Sequence, residues 1–192
     1  TGPVIGVIGL RGKTVIRRII TETLGKKQQV ISSHLSHNTL TGLSFSLLQI
    51  PLPHTRREKI RAALQILRKA LIPPVRRATS VLEYGISKSS EVSRYIALAR
   101  PDYVVVTSGL GFDPNVRRKD HLDACREFIH AVAPECVLIP EDEQWLTEEL
   151  ELGDEQNVAI ISSSPDASCG RSESYGRSFA SHLEMILQKN KK

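Results

Sequence analysis

The stretch Gly6-Val7-Ile8-Gly9-Leu10-Arg11-Gly12-Lys13-Thr14 joins a short apolar run, Pro3 to Ile8, to an amphipathic run, Val15 to Leu24. The first run has the length and β-branched content of a buried strand, and the second has the apolar period of a helix. A glycine-bearing turn between strand and helix points backbone N–H groups into a concavity at a helix N-terminus. Free donors and the helix dipole both favour a phosphate there. In that geometry Gly9, Leu10, Arg11 and Gly12 form the cradle, Lys13 reaches the outer phosphates and the Thr14 hydroxyl ligates Mg2+. The usual pattern begins with a glycine where this chain has Val7, and its own glycines, Gly6, Gly9 and Gly12, recur at every third residue. A plain strand–helix turn is the alternative reading.

Outward from this turn, β-rich apolar runs alternate with helical patterns. Strands are expected at Val4–Ile8, Gln29–Ser32, Ser80–Glu83, Tyr103–Thr107, Cys136–Ile139 and Val158–Ser162. Helices are expected near Thr14–Leu24, Gly42–Gln49, Arg56–Leu71, Ser90–Ala99, Val116–Ala133, Glu143–Glu151 and Gly176–Lys189, with Asp166 to Tyr175 as a polar loop. This alternation predicts an α/β fold, a mostly parallel sheet with helices on both faces and ligands beyond the carboxyl ends of its strands. Pro51, Pro53, Pro73 and Pro74 bracket Arg56–Leu71, marking a peripheral excursion whose charged face, Arg57, Arg61, Arg68 and Lys69, is expected in solvent.

Length and composition fit a single soluble domain over residues 1–192, with 40% hydrophobic and 24% charged residues. No apolar run is long enough to span a bilayer and no signal peptide opens the chain, so membrane insertion is not expected. Three widely spaced cysteines, Cys125, Cys136 and Cys169, show no metal-ligand spacing and fit a reducing, cytoplasmic compartment. The net charge is +5, and the basic clusters carry no interleaved aromatics, which argues against a nucleic-acid surface. The first residue is Thr rather than Met, which leaves two readings open, a piece cut from a longer protein and a reduced relative of one.

Further polar signals fall at the expected strand ends. Ser33 to Leu48 is a polar loop running into a helix, and Glu83-Tyr84-Gly85 closes a strand with a carboxylate suited to Mg2+ beside a triphosphate. Arg100-Pro101-Asp102 leads a buried strand that exits at Thr107-Ser108, and Pro140-Glu141-Asp142 ends another. In this order and spacing the chain resembles the central, ATP-binding domain of the Mur ligases, over roughly residues 3 to 165. The resemblance is nearest to the member that adds D-alanyl-D-alanine to the muramoyl tripeptide. Asn38 to Leu48 follows that family's Asn-Asn-x-Ile-Gly segment, Glu83-Tyr84-Gly85 its Glu-x-Gly with Glu91 at the next helix start, and Arg100 to Ser108 its Arg-Pro-Asp strand.

What the resemblance implies is ATP-dependent amide formation in cell-wall peptidoglycan synthesis, with ATP and Mg2+ as cofactors. Lys13 and Glu83 would be catalytic, Lys13, Thr14, the loop and Ser108 would hold nucleotide, and Thr14 with Glu83 would hold a first Mg2+. Asn38 and His37 would face substrate, with His34 beside them. The family's second-metal histidine aligns with Asp113, while Asp120-His121-Leu122-Asp123 offers His121 as the other candidate. Its carbamoylated lysine falls at Arg126 or Glu127, and Arg11, Ile8, Thr39 and Ser108 replace further family residues. The family's N-terminal substrate domain and C-terminal closing domain have no counterpart within these residues, so the partners expected are a nucleotide and either those missing domains or a partner protein. Two other functions stay open: a non-catalytic scaffold or regulator derived from such a ligase, and another P-loop NTPase or kinase in which Arg11 stabilises charge.

Overall fold

In a computed structural model of the chain, the structure describes residues 2–32, 39–71, 78–107, 118–153, 156–163 and 171–189. Six strands, β1 (Val4–Ile8), β2 (Val30–Ser32), β3 (Thr79–Glu83), β4 (Tyr103–Val106), β5 (Cys136–Pro140) and β6 (Val158–Ile161), form one sheet in the order β2-β3-β1-β4-β5-β6. Every neighbouring pair is parallel. The strands lie within a residue of their expected bounds; the four inner ones, β3, β1, β4 and β5, are short apolar runs buried on both faces, while the edge strands β2 and β6 are only partly covered.

Alternate side chains divide the core. Ile8, Leu82, Val104, Val106, Val137 and Ile139 point to one face, where they pack with α2 (Leu40–Leu47), α4 (Ser89–Leu98) and α5 (Arg118–Val132). Ile5, Val7, Val81, Val105 and Leu138 point to the other, covered by α1 (Lys13–Gly25) and α7 (Arg171–Lys189). The remaining helices are α3 (Arg56–Leu71) and the short α6 (Leu146–Glu149). Among the described residues no helix is long and apolar enough to cross a membrane.

Three expected boundaries move. Helix α2 starts at Leu40 rather than Gly42, because the Thr39 hydroxyl accepts from the Gly42 N–H at 3.2 Å and caps the helix earlier. The single helix expected over Glu143–Glu151 is instead a 3-10 turn, Glu141–Glu143, followed by α6, and it ends by Glu151 at φ 52°. The helix expected from Gly176 already runs from Arg171, so residues 171–175 are not loop. Gly176 is the point where α7 crosses α1: a Cβ there would lie 2.8 Å from Ile19 Cδ1. A helix-start reading of that glycine mistakes a close approach for a boundary.

The Arg100-Pro101-Asp102 turn holds the strand ends together. Arg100 donates to the Val132 carbonyl at the end of α5, and Asp102 accepts from the Val4 N–H at 2.7 Å at the start of β1. Glu91, in the first turn of α4, accepts from the Ser87 N–H and hydroxyl and fastens the approach to that helix. These motif residues are therefore scaffold here.

Candidate phosphate-binding site

Strand β1 delivers the loop Gly9–Gly12 to the carboxyl edge of the sheet, beside the ends of β3 and β4. The register pairs Val7 with Glu83, and the Thr107 N–H donates to the Ile8 carbonyl at 2.9 Å. Gly9 (φ 121°) and Gly12 (φ 79°) take conformations that L side chains rarely adopt, and Gly12 is the N-cap of α1. Gly12 brings no side chain of its own to cap α1, and the first turn of the helix carries no acid. The positive end of the helix dipole, at the leading N–H groups, therefore favours an anion.

Lys13 Nζ folds back onto its own loop, donating to the Gly9 carbonyl at 2.5 Å and the Leu10 carbonyl at 3.3 Å. Burial lowers its pKa, while the Glu83 carboxylate and then Cys125 act the other way. The Thr14 hydroxyl lies 3.1 and 3.3 Å from the two Glu83 oxygens. A hydroxyl and a carboxylate converging in this way are hard oxygen donors of the type Mg2+ prefers. Lys13 and Thr14, neighbours at the start of α1, and Glu83, 69 residues beyond Thr14, meet at the sheet edge.

Three residues that sequence reasoning missed, together with Thr107 at the exit of β4, complete the surroundings. Arg17, one turn after Thr14, places Nε 3.5 Å from Glu83 Oε2 and donates through Nη1 to Ser32 Oγ at 2.9 Å. Burial lowers its pKa first, opposed by Glu83. Ser172 on α7 reaches over the loop, its Oγ 2.8 Å from where a Gly12 Cβ would stand. Thr107 Oγ1 is buried against Gly9 with no hydrogen-bond partner among the described residues. Cys125, a free buried thiol, has its pKa pushed up to about 12 by burial and stays protonated. Helical spacing places Arg17 near Thr14 and so offered a signal for it. Ser172 and Cys125 offered none, whereas Thr107 stood in the polar exit of its strand.

His121 lies on α5, buried, with Nε2 3.7 Å from Cys125 Sγ. Its pKa is lowered by burial and then by the Lys13 charge, with the Ile86 backbone acting in the opposite sense. Of the two second-metal candidates, His121 therefore lies within electrostatic reach of Lys13, whereas Asp113 is outside the described residues. Asn38, His37, His34 and Ser108 also lie outside them. Among the described residues no cluster of three His, Cys, Asp or Glu side chains forms a metal site. Arg126 is committed elsewhere: it donates to the Glu149 carbonyl and pairs with Asp123 and Glu151, tying α5 to the end of α6, while Glu127 is exposed.

The lowered pKa of His121 has a thermodynamic consequence. Its folded value lies below the ordinary 6.5, so the unfolded chain takes up this proton first as the pH falls. Stability from this group is constant above about pH 6.5, then falls with decreasing pH by up to about 1.4 kcal/mol per unit until the folded ring also protonates. Urea unfolding from neutral pH to about pH 5 should show this slope. A His121→Asn variant should lack it, and an unchanged slope in that variant would assign the acid sensitivity to other groups.

A glycine-bearing turn between β1 and α1, at the carboxyl edge of a parallel sheet, defines a P-loop-containing α/β fold. No protein-family model matches the sequence, and no curated protein matches it. Solved structures do. The chain is similar to the UDP-N-acetylmuramoylalanyl-D-glutamyl-2,6-diaminopimelate–D-alanyl-D-alanyl ligase from Acinetobacter baumannii, with a TM-score of 0.56, 14% identity and 85% of this chain covered. It is also similar to the MurF ligase from Thermotoga maritima in complex with ADP, with a TM-score of 0.53, 18% identity and 84% covered. The fold is thus Mur-ligase-like, and the chain spans 33% of the length of each of these ligases.

Proposed function

We propose that this chain is the ATP- and Mg2+-binding part of a Mur-ligase-like carboxylate–amine ligase of cell-wall precursor synthesis. The observation that carries this reading is the convergence of Lys13, Thr14 and Glu83 on the N-terminus of α1, whose N-cap is Gly12. The loop N–H groups and Lys13 would bind and orient the phosphates, with Lys13 turning from the Gly9 carbonyl to the ligand. Thr14 and Glu83 would hold Mg2+, which neutralises charge as a phosphoryl group moves to a carboxylate. That the Thermotoga maritima ligase, a structure of similar fold, is in complex with ADP supports a nucleotide as the ligand. Ser108, Asn38 and His37 are proposed nucleotide- and substrate-side residues, and Asp113 or His121 the second-metal ligand.

Titrating ATP with Mg2+ into the protein and its Lys13→Ala variant tests the reading by calorimetry. Removing a charge-assisted hydrogen-bond donor should weaken binding roughly 10- to 100-fold. Equal affinity in both proteins would overturn it. A second reading, a non-catalytic scaffold, draws support from Arg126, one of the two positions where the family's carbamoylated lysine falls, whose guanidinium is engaged in tying α5 to α6. Absence of heat in either protein would favour that reading.

A further inference from the structure

Helix α3 buries almost nothing. Its start is secured locally: the Glu58 carboxylate accepts from the His54 and Thr55 N–H groups while the Glu58 N–H donates to Thr55 Oγ1, a reciprocal cap. Lys69 Nζ donates to the Leu48 carbonyl, and Ala62 is its buried hydrophobic residue. Yet Ile60, Leu64, Leu67 and Leu71 are 64%, 61%, 58% and 74% exposed. At 3.6 residues per turn these four fall on one stripe that faces away from the protein. Isolated exposed leucines are ordinary, but a continuous stripe on a capped helix marks a contact surface.

The charges choose the occupant. Arg57, Arg61 and Arg68 run along one margin of the stripe and Arg56 and Lys59 along the other, all exposed, with Glu58 the helix's sole acid. A second copy of α3 would set these cationic margins beside one another. An anionic lipid surface complements both features, accepting the stripe at the headgroup boundary while long cationic side chains reach the phosphates. We propose that α3 lies in the surface of an anionic membrane and holds the protein there without spanning it. This does not depend on nucleotide binding.

Co-sedimentation of the whole chain with vesicles of phosphatidylcholine alone, or mixed with phosphatidylglycerol, tests this. Binding should require phosphatidylglycerol and weaken as salt is raised. Leu64→Glu/Leu67→Glu should abolish it with an unchanged melting curve, since both side chains already face solvent. Arg57→Gln/Arg61→Gln/Arg68→Gln should lower it on the order of 100-fold, each cation being worth about five-fold. Several results would overturn the proposal: no sedimentation of the wild type, equal binding to neutral vesicles, or full binding by either variant. A concentration-dependent dimer that Leu64→Glu/Leu67→Glu dissolves, without vesicle binding, would assign the stripe to self-association instead.

Discussion

Replacing Glu83 with Ala should destabilise the protein by about 3–5 kcal/mol, because it strands the Arg17 cation in the core. Both side chains of the pair are nearly sealed from water, at 4% for Arg17 and 3% for Glu83, so water cannot take over the lost partner. For a chain of this length the melting temperature should fall on the order of 10 °C. The double variant Arg17→Met/Glu83→Leu, which removes both charges, should recover most of that loss, because an apolar pair of similar volume avoids the desolvation cost. Urea unfolding of the wild type, the two singles and the double gives the coupling energy directly. A Glu83→Ala cost below about 1 kcal/mol would show that Arg17 escapes to solvent. The pair also bears on nucleotide chemistry: on the proposed reading, Arg17 competes with Mg2+ for the carboxylate that Thr14 shares, so Arg17→Met should tighten Mg2+ binding.

Gly9→Ala should be the most damaging single-methyl change in the phosphate loop. At φ 121° an L side chain is strained, and the added Cβ would lie 2.3 Å from Thr107 Oγ1 and 2.8 Å from the Thr107 carbonyl oxygen. Rotating Thr107 relieves the first overlap, but the second is with backbone that β4 holds in place. Conformational strain of about 1–3 kcal/mol and overpacking of similar size add, giving an expected loss of roughly 2–5 kcal/mol. On the proposed reading, displacing the loop should also weaken ATP binding. Gly25→Ala is the matched control, since a Cβ there meets nothing within 4 Å and its φ is not positive. It should stabilise by about 0.4–1 kcal/mol through the unfolded chain. Similar melting curves for the two variants would show that the loop relaxes around the added methyl group and that the stated geometry is not rigid.

Most of the architecture was legible because local and global signals agree. Val4–Ile8 and Cys136–Pro140 are covered on both faces, so each reads as an unbroken apolar run. Lys13 and Thr14 were legible because a strand, a glycine turn and a helix start follow one another along the chain. Glu83 needed the additional inference that a carboxylate at a strand end belongs beside that turn, and the β1–β3 register supplies the contact. Tertiary partners were not legible. Helical spacing puts Arg17 one turn beyond Thr14, but only the placement of β3 next to β1 turns it onto Glu83 and only β2 offers it Ser32.

The sequence by itself determined the alternating α/β pattern, the six strand positions and the strand–glycine turn–helix placement of Gly9 to Thr14, since each rests on periodicity or on neighbours a few residues apart. Strand order, the buried Arg17–Glu83 pair, the approach of Ser172 to Gly12 and the crossing of α7 over α1 at Gly176 were decided only by tertiary structure. So was the outward direction of the α3 stripe. Periodicity reveals that a helix has two faces, but which face meets water depends on what the rest of the chain brings against it, and that is a property of packing rather than of spacing.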